Sequence, residues 1–158
     1  MRNACVAAVA LLFAAMAGAA ERIESFNGYA FDLDSGRFLY TERHRQRYDG
    51  DRWLGGEIRY VDTQGREFAR KTLDFSANPD VPVYRLELPG DGYLEGIAAL
   101  GGGEAELFKR TRRGEPLRKK RVELDGVVAA DAGFNSLLLD HLDALLRGET
   151  LAFRFIAA

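Results

Sequence analysis

Between Ser25 and Val128 no apolar pattern outlasts one short strand before a turn-forming cluster cuts it. The cuts are Asp34-Ser35-Gly36, Tyr48-Asp49-Gly50-Asp51, Thr63-Gln64-Gly65, Asn78-Pro79-Asp80, Pro89-Gly90-Asp91-Gly92, Gly101-Gly102-Gly103 and Gly114-Glu115-Pro116. Glycine admits positive φ there, proline presets φ, and Asn or Asp side chains bond their own backbone. Turn signals spaced about eight to twelve residues apart leave no room for long helices and are the form of an antiparallel sheet or barrel. The intervening runs, residues 25–33, 37–44, 53–62, 67–75, 83–88, 93–100, 104–112 and 117–128, read as strands. Residues 83–88 alternate cleanly, with Val83, Arg85 and Glu87 on one face and Tyr84, Leu86 and Leu88 on the other. Tyr29, Phe31 and Leu33 share a face, as do Phe38 and Tyr40. Gly55-Gly56 inside a strand predicts a bulge or bend.

One segment keeps a different period. Phe134, Leu137, Leu138, His141, Leu142, Leu145 and Leu146 follow the i, i+3, i+4 rule of an amphipathic helix. Asp131 is its expected N-cap and Gly148 its expected C′ residue. So apolar a stripe needs a large apolar surface, which a sheet supplies. Residues 150–156 read as a further strand. The expected fold is mainly β (α+β), a curved antiparallel sheet or half-barrel packed on one C-terminal amphipathic helix. A strand so near the last residue predicts that the sheet is truncated, with an unpaired edge that favours dimers.

The N-terminus sets a compartment. Arg2 precedes the apolar run from Cys5 to Met16, and Ala17-Gly18-Ala19 supplies small residues before Glu21. Charge, apolar core and small residues in that order form a cleavable secretory signal. The run is shorter than the roughly 20 residues of a spanning helix. No twin arginine precedes it, so the general secretory route and the periplasm are expected. Cys5 comes too early to be a lipoprotein cysteine. The expected division is residues 1–19 as signal and 20–158 as one β-rich domain, with no transmembrane anchor. Cleavage removes the only cysteine and leaves 21 Lys and Arg against 24 Asp and Glu. Disulfides are therefore excluded, and stability must come from an apolar core.

Two groups of residues stand out. Glu42 and His44 share parity with Phe38 and Tyr40, and Lys71 shares parity with Leu73 and Phe75. Where apolar faces point inward, these three groups point inward too, and a buried charge needs a partner. Glu42 paired with Lys71 or His44 answers that need, and the set could form the polar end of a cavity lined by Tyr40, Trp53 and Phe75. The competing reading puts them at strand ends, wetted by solvent. The second group is a basic hairpin with eight Lys or Arg among residues 109–121. Arg112, Arg113, Lys119 and Lys120 could contact an anionic surface, or could keep an exposed edge from pairing with other chains. Nucleic acid is excluded by the net negative charge and by the lack of aromatic residues among the cations.

No catalytic signature accompanies these groups. There is no Gly-x-Ser-x-Gly, no HExxH, and no Lys-Ser/Thr after the Gly101-Gly102-Gly103 run. His141 on the helix stripe reads as a packing residue. No catalytic residue, metal or cofactor is expected, and the reading leans away from an enzyme without excluding hydrolysis.

Gly28-Tyr29-Ala30-Phe31-Asp32, Leu39-Tyr40-Thr41-Glu42-Arg43-His44, Tyr60-Val61-Asp62, Ala69-Arg70-Lys71-Thr72-Leu73-Asp74-Phe75 and Asp131-Ala132-Gly133-Phe134 together resemble an uncharacterised family of secreted bacterial envelope proteins. The resemblance implies a longer chain with further strands. At fold level the chain is similar to the half-barrels of periplasmic lipoprotein carriers, an architectural analogy that assigns no function. The expected function is a non-catalytic periplasmic binding or carrier module for an apolar or lipid-like ligand. The alternative is an envelope interaction or structural module that binds a protein partner and no small ligand.

Overall fold

Each turn cluster closes a hairpin in the computed structural model, which describes residues 21–158. The expected signal segment, residues 1–19, lies outside the described residues. Eight strands follow one another: β1 (Arg22–Phe31), β2 (Phe38–Asp49), β3 (Arg52–Asp62), β4 (Glu67–Asp74), β5 (Val83–Leu88), β6 (Tyr93–Gly101), β7 (Glu104–Arg110) and β8 (Arg118–Glu123). They form one antiparallel sheet in sequence order, open between β1 and β8. A second, parallel pair joins β9 (Val128–Ala130) to β10 (Arg154–Ile156), with α1 (Gly133–Asp140) and α2 (Leu142–Leu146) between them. The fold is thus mainly β with a short C-terminal helical region, as the turn spacing predicts. No helix among the described residues is long and apolar enough to cross a membrane.

Cross-strand register divides the sheet into an inner and an outer face. One inner row reads Phe26, His44, Ile58, Lys71, Leu86, Glu95, Lys109 and Arg118 across all eight strands. The next inner row reads Glu24, Gln46, Gly56, Leu73, Tyr84, Ile97, Leu107 and Lys120. The second row turns apolar from β4 to β7, and there β9 and β10 cover it. Leu73, Phe75, Val81, Tyr84, Ile97, Ala105, Leu107, Val128, Ala130 and Ile156 make the buried core. The covering segment therefore lies over the C-terminal half of the sheet.

Three local expectations change. Residues 117–128 are not one strand. The Leu124 N–H still donates to the Gly103 carbonyl at 2.7 Å, but Gly126 at φ +70° then turns the chain away as a separate β9. Leu33 does not share a face with Tyr29 and Phe31. The Ser35 N–H donates to Asp32 Oδ1 at 2.9 Å and closes the turn, leaving Leu33 exposed at its tip. The expected helix is two helices, broken at His141, whose backbone sits at φ −107°, ψ 10°. Leu142 and Leu146, both on the expected stripe, are 44% and 77% exposed, so only part of the stripe is covered. Gly148 does close α2: at φ +83° it donates to the Leu145 carbonyl while Glu149 donates to that of Ala144.

Gly55 meets its prediction. The β2–β3 register shifts beside it, and at φ +136° a side chain there would also overlap the Leu73 carbonyl oxygen.

Asp80 anchors the covering segment, its carbonyl accepting the Ala130 N–H at 2.9 Å. Burial, then the charge of Asp140, raises the pKa of its carboxyl above the ordinary value. A carboxyl whose folded pKa lies above its unfolded one favours folding in its protonated form. Its contribution is present at low pH and is lost as pH rises from the unfolded pKa through the folded one. Asp80→Asn is expected to remove that part of the pH dependence, raising the melting temperature at pH 7 relative to pH 3.5. Thermal melts of both proteins across this range check it, and parallel profiles would contradict it.

Candidate functional site

On β2 the two-residue period places Glu42 and His44 on the inner face together. His44 Nε2 and Glu42 Oε2 are 3.0 Å apart. Phe26, facing His44 from β1, stacks on the imidazole with ring centroids 4.4 Å apart and planes 9° apart. The His44 side chain is only 13% exposed, whereas Phe26 is 47% exposed. Gly28 faces Glu42 from β1 and adds no side chain over the pair. With Nε2–H donated to the carboxylate, the ring keeps Nδ1 as an acceptor. That atom is buried and has no protein partner.

Two strands further on, Lys71 occupies the same transverse row as His44. Its ammonium pairs with Asp131 and lies 4.9 Å from the Tyr84 ring centroid. Asp131 sits between β9 and α1 with φ +48°, a left-handed conformation that Asp tolerates better than most residues. Its second oxygen, Oδ2, is buried without a partner. The expected N-cap is therefore corrected: Ala132 occupies the cap position without a side-chain hydrogen bond, and the Asp131 carboxylate takes Lys71. The expected Glu42–Lys71 alternative gives way to two pairs, Glu42–His44 and Lys71–Asp131.

Tyr60 links them. Burial, then the charges of Glu42 and Asp131, raises its pKa, so the phenol stays a hydrogen-bond donor at neutral pH. Tyr40, Tyr60 and Phe68 form an aromatic cluster with centroids 5.7 to 6.2 Å apart. The site thus joins an aromatic floor to one phenol donor and two buried acceptors.

Of the expected lining, Tyr40 lies in this cluster. Trp53 and Phe75 lie at the other end of β3, ring centroids 4.0 Å apart, where Phe75 belongs to the buried core and Trp53 packs against it. Phe26, Tyr60 and Tyr84 join the site although no sequence motif marks them, and Asp131 joins it as the partner of Lys71 and not as a cap. Parity alone could have found Tyr60, which alternates with Ile58, and Phe26, which alternates with Gly28 and Ala30. A second polar group also occupies the inner face, where Lys109 Nζ meets Glu95 Oε2 at 3.0 Å. Glu95 and then Tyr93 hold the Lys109 pKa above its ordinary value.

The basic hairpin is largely tied down. Arg112 bonds Glu115 at 2.9 Å, Lys119 bonds Glu106 at 2.8 Å, and Arg113 donates to the Pro89 and Gly90 carbonyls. Lys120 lies on the inner face opposite Leu107, and it is exposed.

Among the described residues no group of three or more His, Cys, Asp or Glu side chains is placed to hold a metal ion. No protein-family model, curated protein or solved structure matches the chain.

Proposed function

We propose that the chain is a binding or carrier module for an apolar, lipid-like ligand with a hydrogen-bonding end, held on the uncovered N-terminal half of the inner sheet face. The carrying observation is the juxtaposition of an exposed aromatic floor with buried, unpartnered acceptors. Phe26 stays exposed on the His44 ring, whose Nδ1 is unpartnered, Phe68 stays exposed against Tyr40 and Tyr60, and Asp131 Oδ2 is the second unpartnered atom. Buried polar atoms are nearly always hydrogen-bonded, and leaving one unmade costs about 1–3 kcal/mol. Two acceptors and the Tyr60 phenol suit a ligand end bearing hydroxyl or amine donors. The N-terminal charge, apolar run and small residues support the periplasm as the place of action.

Displacement of the apolar dye 1-N-phenylnaphthylamine, with native mass spectrometry of the purified protein, tests this reading. Phe26→Ser with Phe68→Ser is expected to weaken dye binding about tenfold, a change of about 1.4 kcal/mol. A clean apo mass with no dye uptake would sink it.

A second reading rests on the C-terminal apolar surface. Leu139, Leu142, Leu146, Phe153 and Phe155 are all exposed, and Phe153 and Phe155 pack on Phe134. Such a surface suits a protein partner. Loss of dye uptake in Leu139→Lys/Leu146→Lys, with the Phe26/Phe68 variant unchanged, would favour it over the ligand site.

A further inference from the structure

The outer sheet face carries arginines directly abreast on neighbouring strands. Arg43 on β2 faces Arg59 on β3, which faces Arg70 on β4. Arg45 stands two residues from Arg43 on the same face. Like charges directly opposite on a sheet are destabilising. Two glutamates offset part of this row. Glu67 binds Arg70 at 2.8 Å and lies 3.9 Å from Arg59, and Glu57 binds Arg59 and lies 3.6 Å from Arg70. Among the described residues, no carboxylate lies within 4 Å of the Arg43 or Arg45 guanidinium, although Glu57 stands directly opposite Arg45 in register. A merely solvated face pairs its charges, as Arg85 and Glu87 do on β5.

The uncompensated arginines line a cleft. Ser25, Phe26, Asn27, Arg43, His44, Arg45, Glu57 and Arg59 border an open cleft of about 500 Å³ beside the β1 edge. Strands lie about 4.8 Å apart and alternate residues about 6.8 Å apart along a strand. Arg43 and Arg45 present two free planar forks beside Arg59, which Glu57 and Glu67 already hold. The two free forks match a tetrahedral oxyanion, whose several oxygens accept from more than one planar fork. The Ser25 hydroxyl and Asn27 amide add uncharged donors at the rim. We infer that this cleft binds a phosphate group; Phe26 and His44 also border it, so it shares strands β1 and β2 with the aromatic site.

The test uses the secreted form of the chain with two probes, pyrophosphate in solution and phosphatidylglycerol vesicles in a phosphatidylcholine background. Binding of at least one probe is expected at low salt, weakening as salt rises. Arg43→Ser/Arg45→Ser is expected to weaken it about tenfold or more. Pyrophosphate binding alone assigns a soluble phosphate ester, and vesicle binding alone assigns a lipid headgroup. Lys120→Ser/Arg121→Ser on the basic hairpin is expected to leave binding unchanged. An unaltered melting temperature in the cleft variant shows that lost binding is not lost folding. Failure of both probes to bind the folded protein overturns the inference, as does binding lost in the hairpin variant and kept in the cleft variant.

Discussion

Replacing Lys71 by methionine is expected to destabilise the fold by about 2–3 kcal/mol. Removing one partner of a fully buried ion pair typically costs about 3–5 kcal/mol, because the other charge remains without compensation. The Lys71 side chain is 12% exposed and that of Asp131 22%, so residual hydration lowers the figure. Methionine keeps most of the apolar stem that packs near Tyr84, which isolates the loss of charge. Asp131→Asn is expected to cost a similar amount while retaining a residue that tolerates φ +48°. The double variant should cost much less than the sum of the two, since it leaves no orphaned charge. Glu42→Gln combined with Lys71→Met should instead be additive within about 0.5 kcal/mol, the limit for groups that share no partner. Urea denaturation of the single and double variants measures both cycles. Additivity of Lys71 with Asp131 would refute the pairing.

Gly96→Ala is expected to cost about 3 kcal/mol or more, the range of severe overpacking. Gly96 lies on β6 opposite Arg85 and Phe108, and a Cβ there would overlap the Tyr84 carbonyl oxygen and the Phe108 ring. A ring can rotate away, but the carbonyl belongs to the β5 backbone, which is tied into the ladder. Phe108→Ala should therefore fail to rescue Gly96→Ala. Circular dichroism melts of the three variants decide this, and full rescue would show that the ring alone sets the limit. The neighbouring Ile97 is almost completely buried, so displacement of the β5–β6 pair would open the core at its best-packed point.

Much of the sheet was legible because its signals are local. Asp32 closes the first turn through its own side chain, and Asp62 accepts the Gln64 and Arg66 N–H groups in the third, bonds that need only nearby residues. Strand alternation likewise placed Glu42, His44 and Lys71 on one face. What local pattern could not supply was partnership. Lys71 meets a residue sixty positions later, on a segment whose docking depends on the whole sheet. Asp131 looked like a helix cap because an acidic residue before an apolar helix usually is one. Trp53 and Phe75 were grouped with Tyr40 by apolar character, but the length of β3 separates them.

The amino-acid sequence by itself determined the strand count of the meander, the hairpin positions and the two-faced character of each strand, because turn chemistry and a two-residue period act within a few residues. Tertiary structure alone decided which half of the inner face is covered. It also decided the break at His141, the pairing of Lys71 with Asp131, and the alignment of Arg43, Arg59 and Arg70. These depend on cross-strand register and on where β9 and β10 come to rest. Such contacts are set by packing summed over residues distant in the chain, which no short pattern encodes.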